Sequence, residues 1–258
     1  MQLSISTELD YFFPDPCDIL LELEAAVIPE QAVLQAQLAL PAVEHFARVP
    51  GHDTIGDRIW LRHQGQLQVT YTGLVEINRF VDDIAPLAAV PPHQLPGETV
   101  QYLLPSRYCP SYEFQSLVND DFGRLEGGAR INAFRQWIGQ HIAYIPGSSG
   151  SETSAMETYV GRRGVCRDFA HLLITMARAS AIPARFASVY GLGVTPQDFH
   201  AVAEVFLAGC WYLVDATGMS SADRMAKIGV GRDAADVSFL TSYGTAILNR
   251  QQVSVSEA

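Results

Sequence analysis

The segment GRRGVCRDFAHLL, residues 161–173, decides how the fold of this 258-residue chain is interpreted. Cys166 lies directly before a stretch with a helical pattern, and Pro183 marks the end of that stretch. The apolar residues of that stretch recur at helical spacing: Phe169, Leu172, Leu173 and Met176. A thiol at a helix start lies beside unpaired backbone N–H groups and the positive end of the helix dipole, and both favour the thiolate. The segment therefore predicts a nucleophilic cysteine at the start of a helix.

The neighbours of Cys166 add features that favour a nucleophile. Three arginines bring positive charge to an otherwise acidic chain: Arg162, Arg163 and Arg167. Gly164 is expected to let the backbone approach a substrate closely, and the Cys166 N–H is a natural donor to an oxyanion. The alternative is a buried structural cysteine, which is common. The position between a glycine and a helix start favours the nucleophile.

The other cysteines lack this setting. Cys17 and Cys109 lie beside prolines, and Cys210 follows a glycine in a predicted hairpin. Four cysteines are too few for a disulfide scaffold in a chain of this length, and their spacing is not that of a zinc site. All four are therefore predicted to be free thiols in a reducing compartment.

A later hairpin supplies the two side chains that activate a thiol. Ala208-Gly209 predicts a two-residue turn that pairs Leu207 with Cys210. Counting back along both strands puts His200 and Asp215 on one face, a diagonal step apart, because side chains alternate across a strand. The carboxylate could then orient the imidazole. A slip of one residue in the turn would separate them.

Each of these side chains has a simpler interpretation. His200 could be a structural histidine on a half-buried strand, and Asp215 could cap the turn that follows it. Glu204 shares the face of His200 and is a rival orienting group, although a solvated position is more usual for glutamate. His171 and Asp168 are three residues apart, but no third metal ligand is evident. Asp168 is more simply a first-turn helix charge.

The composition excludes several classes of function. The formal net charge of −11 argues against nucleic acid and against anionic membrane surfaces as partners. No run approaches the roughly 18 apolar residues of a membrane span. The amino terminus lacks a basic region followed by an apolar run, so no signal peptide is predicted. These observations favour a globular cytoplasmic protein.

The two halves of the chain differ in character. Residues 1–100 are predicted to form an antiparallel β-sandwich domain, with turn signals at 14–16 and 64–65 and a linker at 86–97. The predicted strands are 3–6, 19–27, 32–40, 58–62 and 67–77. Residues 19–37 are rich in Ala and Leu and could instead be partly helical.

Residues 101–258 are predicted to form an α+β domain. Apolar residues at helical spacing indicate a helix over 131–142, before the helix that starts at Cys166. Strands are predicted at 185–190, 200–207 and 211–215, so a helix is expected to pack on an antiparallel sheet.

Taken together, these motifs resemble the core of the transglutaminase-like superfamily, and in particular its bacterial branch of cysteine-protease-like members. The similar residues are GVCRDFAHL (164–172), AIPAR (181–185), His200-Ala201, Glu204-Val205, Gly209, Trp211 and Asp215-Ala216-Thr217. The resemblance spans roughly residues 125–217. It departs from the family where Val202 replaces a frequent tryptophan and Ala216 replaces a frequent proline.

The resemblance implies a papain-like fold and an enzyme that cleaves or exchanges an amide or peptide bond of a peptide or protein. It implies Cys166 as nucleophile, His200 as general base and acid, and Asp215 as the orienting carboxylate. No cofactor or metal is predicted, since no acidic loop of calcium-binding type occurs. The alternatives are a cross-linking transglutaminase and a non-catalytic interaction module. Acetyl transfer to arylamines would need an acetyl-thioester donor, and nothing in the sequence indicates one.

Overall fold

The computed structural model describes residues 1–80 and 83–258 and has an α+β fold with antiparallel sheets, which confirms the predicted fold class. The strands are β1 (Gln2–Leu21), β2 (Gln31–Ala39), β3 (His45–Pro50), β4 (Asp57–Ile77), β5 (Ala143–Tyr144), β6 (Arg163–Gly164), β7 (Ala184–Gly191), β8 (His200–Leu207), β9 (Cys210–Val214), β10 (Met225–Gly231), β11 (Leu240–Ser242) and β12 (Ile247–Glu257). The α-helices are α1 (Gln115–Phe122), α2 (Gly127–His141), α3 (Ala155–Gly161) and α4 (Cys166–Ala179).

A six-stranded sheet is built around two long strands, β1 and β4, which pair along almost their whole length. Every second residue of β1 is buried over most of the strand, so the sheet has one apolar face. The turn predicted at residues 14–16 is wrong, because β1 continues there through a bulge between Phe13 and Cys17. Prolines are tolerated at such bulges, where a ladder hydrogen bond is already missing.

Two further predictions for this region are wrong. The turn at Gln64-Gly65 lies inside β4, which is one continuous strand. Residues 19–37 contain no helix, and β1 already ends at Leu21. In both cases pairing with a long neighbouring strand overrides local propensity, through β1 with β4 and through β2 with β4. The partner strand satisfies backbone groups that a turn or helix would otherwise satisfy.

The sheet pairing does not follow the predicted domain boundary at residue 100. Strands β11 and β12, near the carboxyl end of the chain, pair with β1 in the six-stranded sheet. The apolar face of that sheet shares a core with Tyr190, Ala226 and Ile228 of the second sheet. The predicted linker also packs against the rest of the protein. Leu87 contacts the hydrophobic core around α4, and the Ala88 carbonyl accepts the Ala208 N–H at 2.9 Å.

The second sheet has the order β10-β7-β8-β9, and α4 packs across β7 and β8. Every residue of α4 from Asp168 to Arg178 is buried. The sequence pattern predicts one apolar face, but α2 and α3 cover the side of α4 that faces away from the sheet. The central position of α4 fixes its first residue, Cys166, relative to the strands.

The hairpin that joins β8 and β9 has the predicted register. Leu207 pairs with Cys210 across a two-residue turn, in which Ala208 and Gly209 have φ values of 48° and 88°. Positive φ at both positions is the type I′ geometry that suits the twist of a hairpin. This register puts His200 and Asp215 on the same face of the sheet.

Candidate active site

The Cys166 thiol lies at the first residue of α4. The preceding residue, Val165, is extended, and its N–H is accepted by Asp168 Oδ2 at 2.8 Å. Asp168 is therefore the first-turn carboxylate that the sequence predicts, and it caps the helix. The Cys166 sulfur is 4.0 Å from the Phe199 carbonyl oxygen, so the helix start meets the strand residue that precedes His200.

Gly164 has a structural role at the start of α4. A Cβ atom at this position would lie 2.7 Å from the Asp168 Cβ, closer than real side chains approach. The absence of a side chain makes room for the capping carboxylate.

His200 and Asp215 form a buried hydrogen-bonded pair. His200 Nε2 and Asp215 Oδ2 are 3.0 Å apart. Asp215 is itself held by the backbone N–H groups of Thr217 and Ser220, at 2.8 and 3.0 Å. The turn interpretation of Asp215 is therefore also correct, since the same carboxylate orients the imidazole and closes the turn that follows.

The ring of His200 links the carboxylate to the thiol. Within residues 1–80 and 83–258, the buried Nδ1 atom has no hydrogen-bond acceptor or donor of normal geometry. Burial lowers the pKa of His200, but interactions with Asp215 and with the Cys166 thiol outweigh burial and raise the pKa to about 9. Because Nε2 is committed to Asp215, Nδ1 is the atom left for the thiol. The raised pKa favours the protonated ring at neutral pH, so a positive charge lies beside the sulfur.

Tyr144 is a fourth residue at this site, and the sequence analysis missed it. The short strand β5 pairs in parallel with β6, so that Tyr144 lies opposite Gly164. Burial and the neighbouring Cys166 thiol raise the pKa of Tyr144 to about 12, and its hydroxyl also interacts with the Cys166 N–H. A two-residue parallel pairing leaves no periodic signal in the sequence, so the structure was needed to find it.

Glu204 does not compete for His200. It is buried, and its two carboxylate oxygens bind Lys227 Nζ at 2.6 Å and Arg185 Nε at 2.7 Å. Burial alone would raise its pKa, but the two cations lower it to about 2. The expectation of a solvated glutamate is wrong, because the sequence does not show that Arg185 and Lys227 approach from two other strands.

His171 is buried inside the fold and does not reach the thiol. Its Nε2 accepts the Ala234 N–H at 3.1 Å, and its ring stacks on Tyr108 with centroids 4.9 Å apart. Burial keeps the pKa of His171 well below its usual value. Within the described part of the chain, no three His, Cys, Asp or Glu side chains converge in a way that could hold a metal ion.

Two of the three arginines near Cys166 are engaged by other groups of the protein. Arg167 is paired with Asp168 at 3.1 Å and donates to the Gly150 carbonyl at 2.7 Å. The guanidinium of Arg162 lies over the rings of Tyr159 and Trp137. Neither of these two guanidinium groups is therefore left unpaired beside the sulfur.

A cleft of about 410 Å³ opens beside the sulfur. It is bounded by Cys166 and His200, by the residues before His200, and by residues 237–240 after β10. Gln251 of β12 also lines it, so the last strand of the chain reaches the site. These last contributions could not be predicted from local sequence patterns, because they depend on how the two sheets pack.

The geometry can be compared with known proteins. The family model of the transglutaminase-like superfamily matches residues 118–216. A crystal structure of a protein from Cytophaga hutchinsonii, named a "putative cysteine protease", is 31% identical and covers 99% of this chain and 90% of its own, with a TM-score of 0.91. This chain belongs to the transglutaminase-like superfamily.

A curated relative has no known function. It is an uncharacterised protein of Mycobacterium leprae, 32% identical over 146 residues, which are 53% of this chain and 52% of the relative. The match thus spans about half the length of that protein. Across residues 1–80 and 83–258, no helix has the length and apolar content that crossing a membrane requires.

Proposed function

We propose that this protein is a cysteine-dependent acyl-transfer enzyme that hydrolyses an amide or peptide bond of a peptide or protein. The observation that carries the proposal is the pair of contacts made by one ring: His200 bonds Asp215 at 3.0 Å and interacts with the Cys166 thiol at the cleft. A nucleophile, a base and a group that orients the base are the parts that covalent catalysis needs.

The proposed reaction has two halves. The Cys166 thiolate attacks the substrate carbonyl carbon, and a C–S bond forms while the carbonyl oxygen becomes an oxyanion. The C–N bond then breaks, and the His200 imidazolium gives its proton to the departing amine. In the second half water attacks the thioester, and His200 accepts its proton. The acid product leaves, and the thiolate–imidazolium pair is restored.

Two groups of the protein could stabilise the oxyanion. The Cys166 N–H at the start of α4 is one donor. The Tyr144 hydroxyl interacts with both this N–H and the sulfur in the resting protein. In the proposed mechanism the substrate oxygen replaces the tyrosine oxygen at the N–H and accepts the tyrosine O–H as a second bond. This assigns the second donor to Tyr144.

The proposal is tested with a peptide library and two cysteine variants. Cys166→Ala is expected to abolish turnover, because it removes the atom that forms the thioester. Cys210→Ala is the matched control, since Cys210 is an exposed free cysteine outside the cleft, and its turnover is expected to equal that of the wild type. Full activity of Cys166→Ala would refute the proposal.

Hydrolysis and cross-linking share the thioester, so they are separated by its second reaction. Ammonia release from glutamine peptides is measured with and without a primary amine acceptor, together with cleavage of the peptide backbone. Backbone cleavage that is independent of the amine supports the proposed hydrolase. Incorporation of the amine into glutamine side chains without backbone cleavage would instead favour a transglutaminase.

A further inference from the structure

One wall of the cleft beside Cys166 is apolar. Two half-buried aromatic rings, Phe199 and Phe239, stack with centroids 4.5 Å apart and an interplanar angle of 7°. Both line the cleft, together with Tyr108, Val237 and Leu240. Phe199 is also the residue before His200, and its carbonyl contacts the Cys166 sulfur at 4.0 Å. The apolar wall therefore lies directly beside the Cys166 sulfur.

The charged groups that line the cleft already have partners in the protein. Arg167 is bound to Asp168 and to the Gly150 carbonyl. Asp198 Oδ1 accepts the Phe199 N–H at 2.8 Å and the Gln251 side-chain amide at 2.6 Å. A charged substrate group would have to compete with these bonds, whereas an apolar group would gain burial against the aromatic wall.

We infer that this cleft is a subsite for a large apolar side chain, aromatic or leucine-like, in the acyl part of the substrate. The inference rests on the proposed function, because the acyl part is defined by the thioester at Cys166. A hydrophobic subsite discriminates among side chains that differ by a few carbon atoms by roughly 10–200-fold. A small polar side chain, such as the carboxamide of glutamine, would leave the aromatic wall exposed to water.

The test uses alkylating probes, so it does not depend on turnover. Acetyl-aminoacyl and acetyl-aminoacyl-glycyl chloromethyl ketones carry Phe, Leu, Ala, Gln, Glu or Lys as the varied residue. Alkylation of Cys166 is followed by mass spectrometry. We expect the Phe and Leu probes to react at least about tenfold faster than the Ala, Gln, Glu and Lys probes in one of the two series. Equal rates in both series, or faster reaction of a polar probe, would overturn the inference.

Two variants locate the preference. Phe239→Ala is expected to reduce the ratio of Phe to Ala probe rates at least about fivefold, since it removes half of the aromatic pair. Tyr243→Ala is the matched control, because Tyr243 is an exposed aromatic residue that packs on Trp60 outside the cleft, and it should leave the ratio unchanged. If Phe239→Ala does not fold, Leu240→Ala provides the same comparison. An unchanged ratio in a folded cleft variant counts against the subsite.

Iodoacetamide separates this inference from the proposed function. It carries no side chain and reports only the reactivity of the thiol. If it modifies Cys166 no faster than the exposed Cys210, the activated nucleophile and the proposed function both fail. If it modifies Cys166 rapidly while the ketone probes show no preference, the apolar subsite alone fails.

Discussion

Strand β8 carries two buried ionisable residues on the same face, His200 and Glu204, yet only His200 is suited to chemistry. His200 begins the strand and Glu204 lies four residues later, with relative exposures of 1% and 2%. Both carboxylate oxygens of Glu204 are bound by cations, at 2.6 and 2.7 Å. The His200 ring has one nitrogen bound to Asp215 and the other directed toward the thiol side.

The comparison teaches how to distinguish a structural charge cluster from a reactive one. At Glu204 every strong acceptor is satisfied, so the cluster joins β7, β8 and β10 and has nothing left to offer a substrate. At His200 the orienting bond is made and one ring atom remains available. An unpaired ring nitrogen is not enough by itself, because among the residues that the structure describes His171 Nδ1 is also buried without a partner. The nitrogen of His200 differs in lying beside a thiol at an open cleft.

Removing the base should have the largest effect. We expect His200→Ala to lower kcat by about 10²–10⁴-fold, the usual contribution of general acid–base catalysis. The variant should also lose stability, because Asp215 would keep a buried charge without its partner, so kcat is expressed per folded molecule. Steady-state kinetics and thermal unfolding are measured on the same preparation. A folded His200→Ala protein with wild-type kcat would remove the functional distinction between His200 and Glu204.

Removing the Glu204 carboxylate should affect stability but not catalysis. We expect Glu204→Ala to reduce the free energy of unfolding by about 3 kcal/mol, near the lower end for a broken buried ion pair. The lower end applies because Lys227 keeps Glu30 at 2.8 Å and Arg185 keeps Asp53 at 2.7 Å.

The measurement for Glu204→Ala is urea unfolding, with kcat determined per folded molecule. Asp18→Ala is the control, because it removes an exposed ion pair with Arg62 and should cost at most about 1 kcal/mol. A Glu204→Ala protein of normal stability and strongly reduced kcat would show that this cluster also serves catalysis.

The Tyr144 hydroxyl provides a smaller and more specific test. Tyr144→Phe keeps the ring that packs near Phe169, at a centroid distance of 5.8 Å, and removes only the O–H group. We expect kcat to fall about 10²-fold if this hydroxyl donates to the oxyanion. Alkylation of Cys166 by iodoacetamide forms no oxyanion and should change much less. Tyr159→Phe is the matched control, and a similar kcat loss there would point to a general packing effect.

The sequence predicted the parts of the site that depend on local structure. The start of α4 follows from helical periodicity, and the approach of His200 to Asp215 follows from a two-residue turn. Tyr144, Phe239 and the partners of Glu204 could not be predicted in this way. Each is brought in by an element far away in sequence, and pairing between distant elements is not encoded in a local pattern.

The same reasoning explains the errors in the amino-terminal half. Proline and glycine signals at 14–16 and 64–65 are typical of turns, but they fall opposite each other in the β1–β4 pairing, where a bulge absorbs them. Strand β12 joins the first sheet because the chain returns to β1 after β10, and no local pattern predicts such a long-range return. Local sequence patterns therefore predicted the approach of His200 to Asp215 better than they predicted where the strands begin and end.

The smallest expected effect is a shift in pH dependence that isolates the carboxylate. His200 has a pKa raised from 6.5 to about 9, so the imidazolium is present below that pH and is lost as the pH rises through it. We therefore expect kcat/KM of the wild type to fall on the alkaline side near pH 9.

Asp215→Asn preserves a hydrogen-bonding group but removes the negative charge, so the alkaline limb of the pH profile should move down by about 1–2 pH units. Glu204→Gln should leave the limb in place, because Glu204 is bound to Lys227 and Arg185 and makes no bond to His200. Equal shifts in both variants would mean that the ring responds to the net charge of the whole face, and the functional distinction between His200 and Glu204 would be lost.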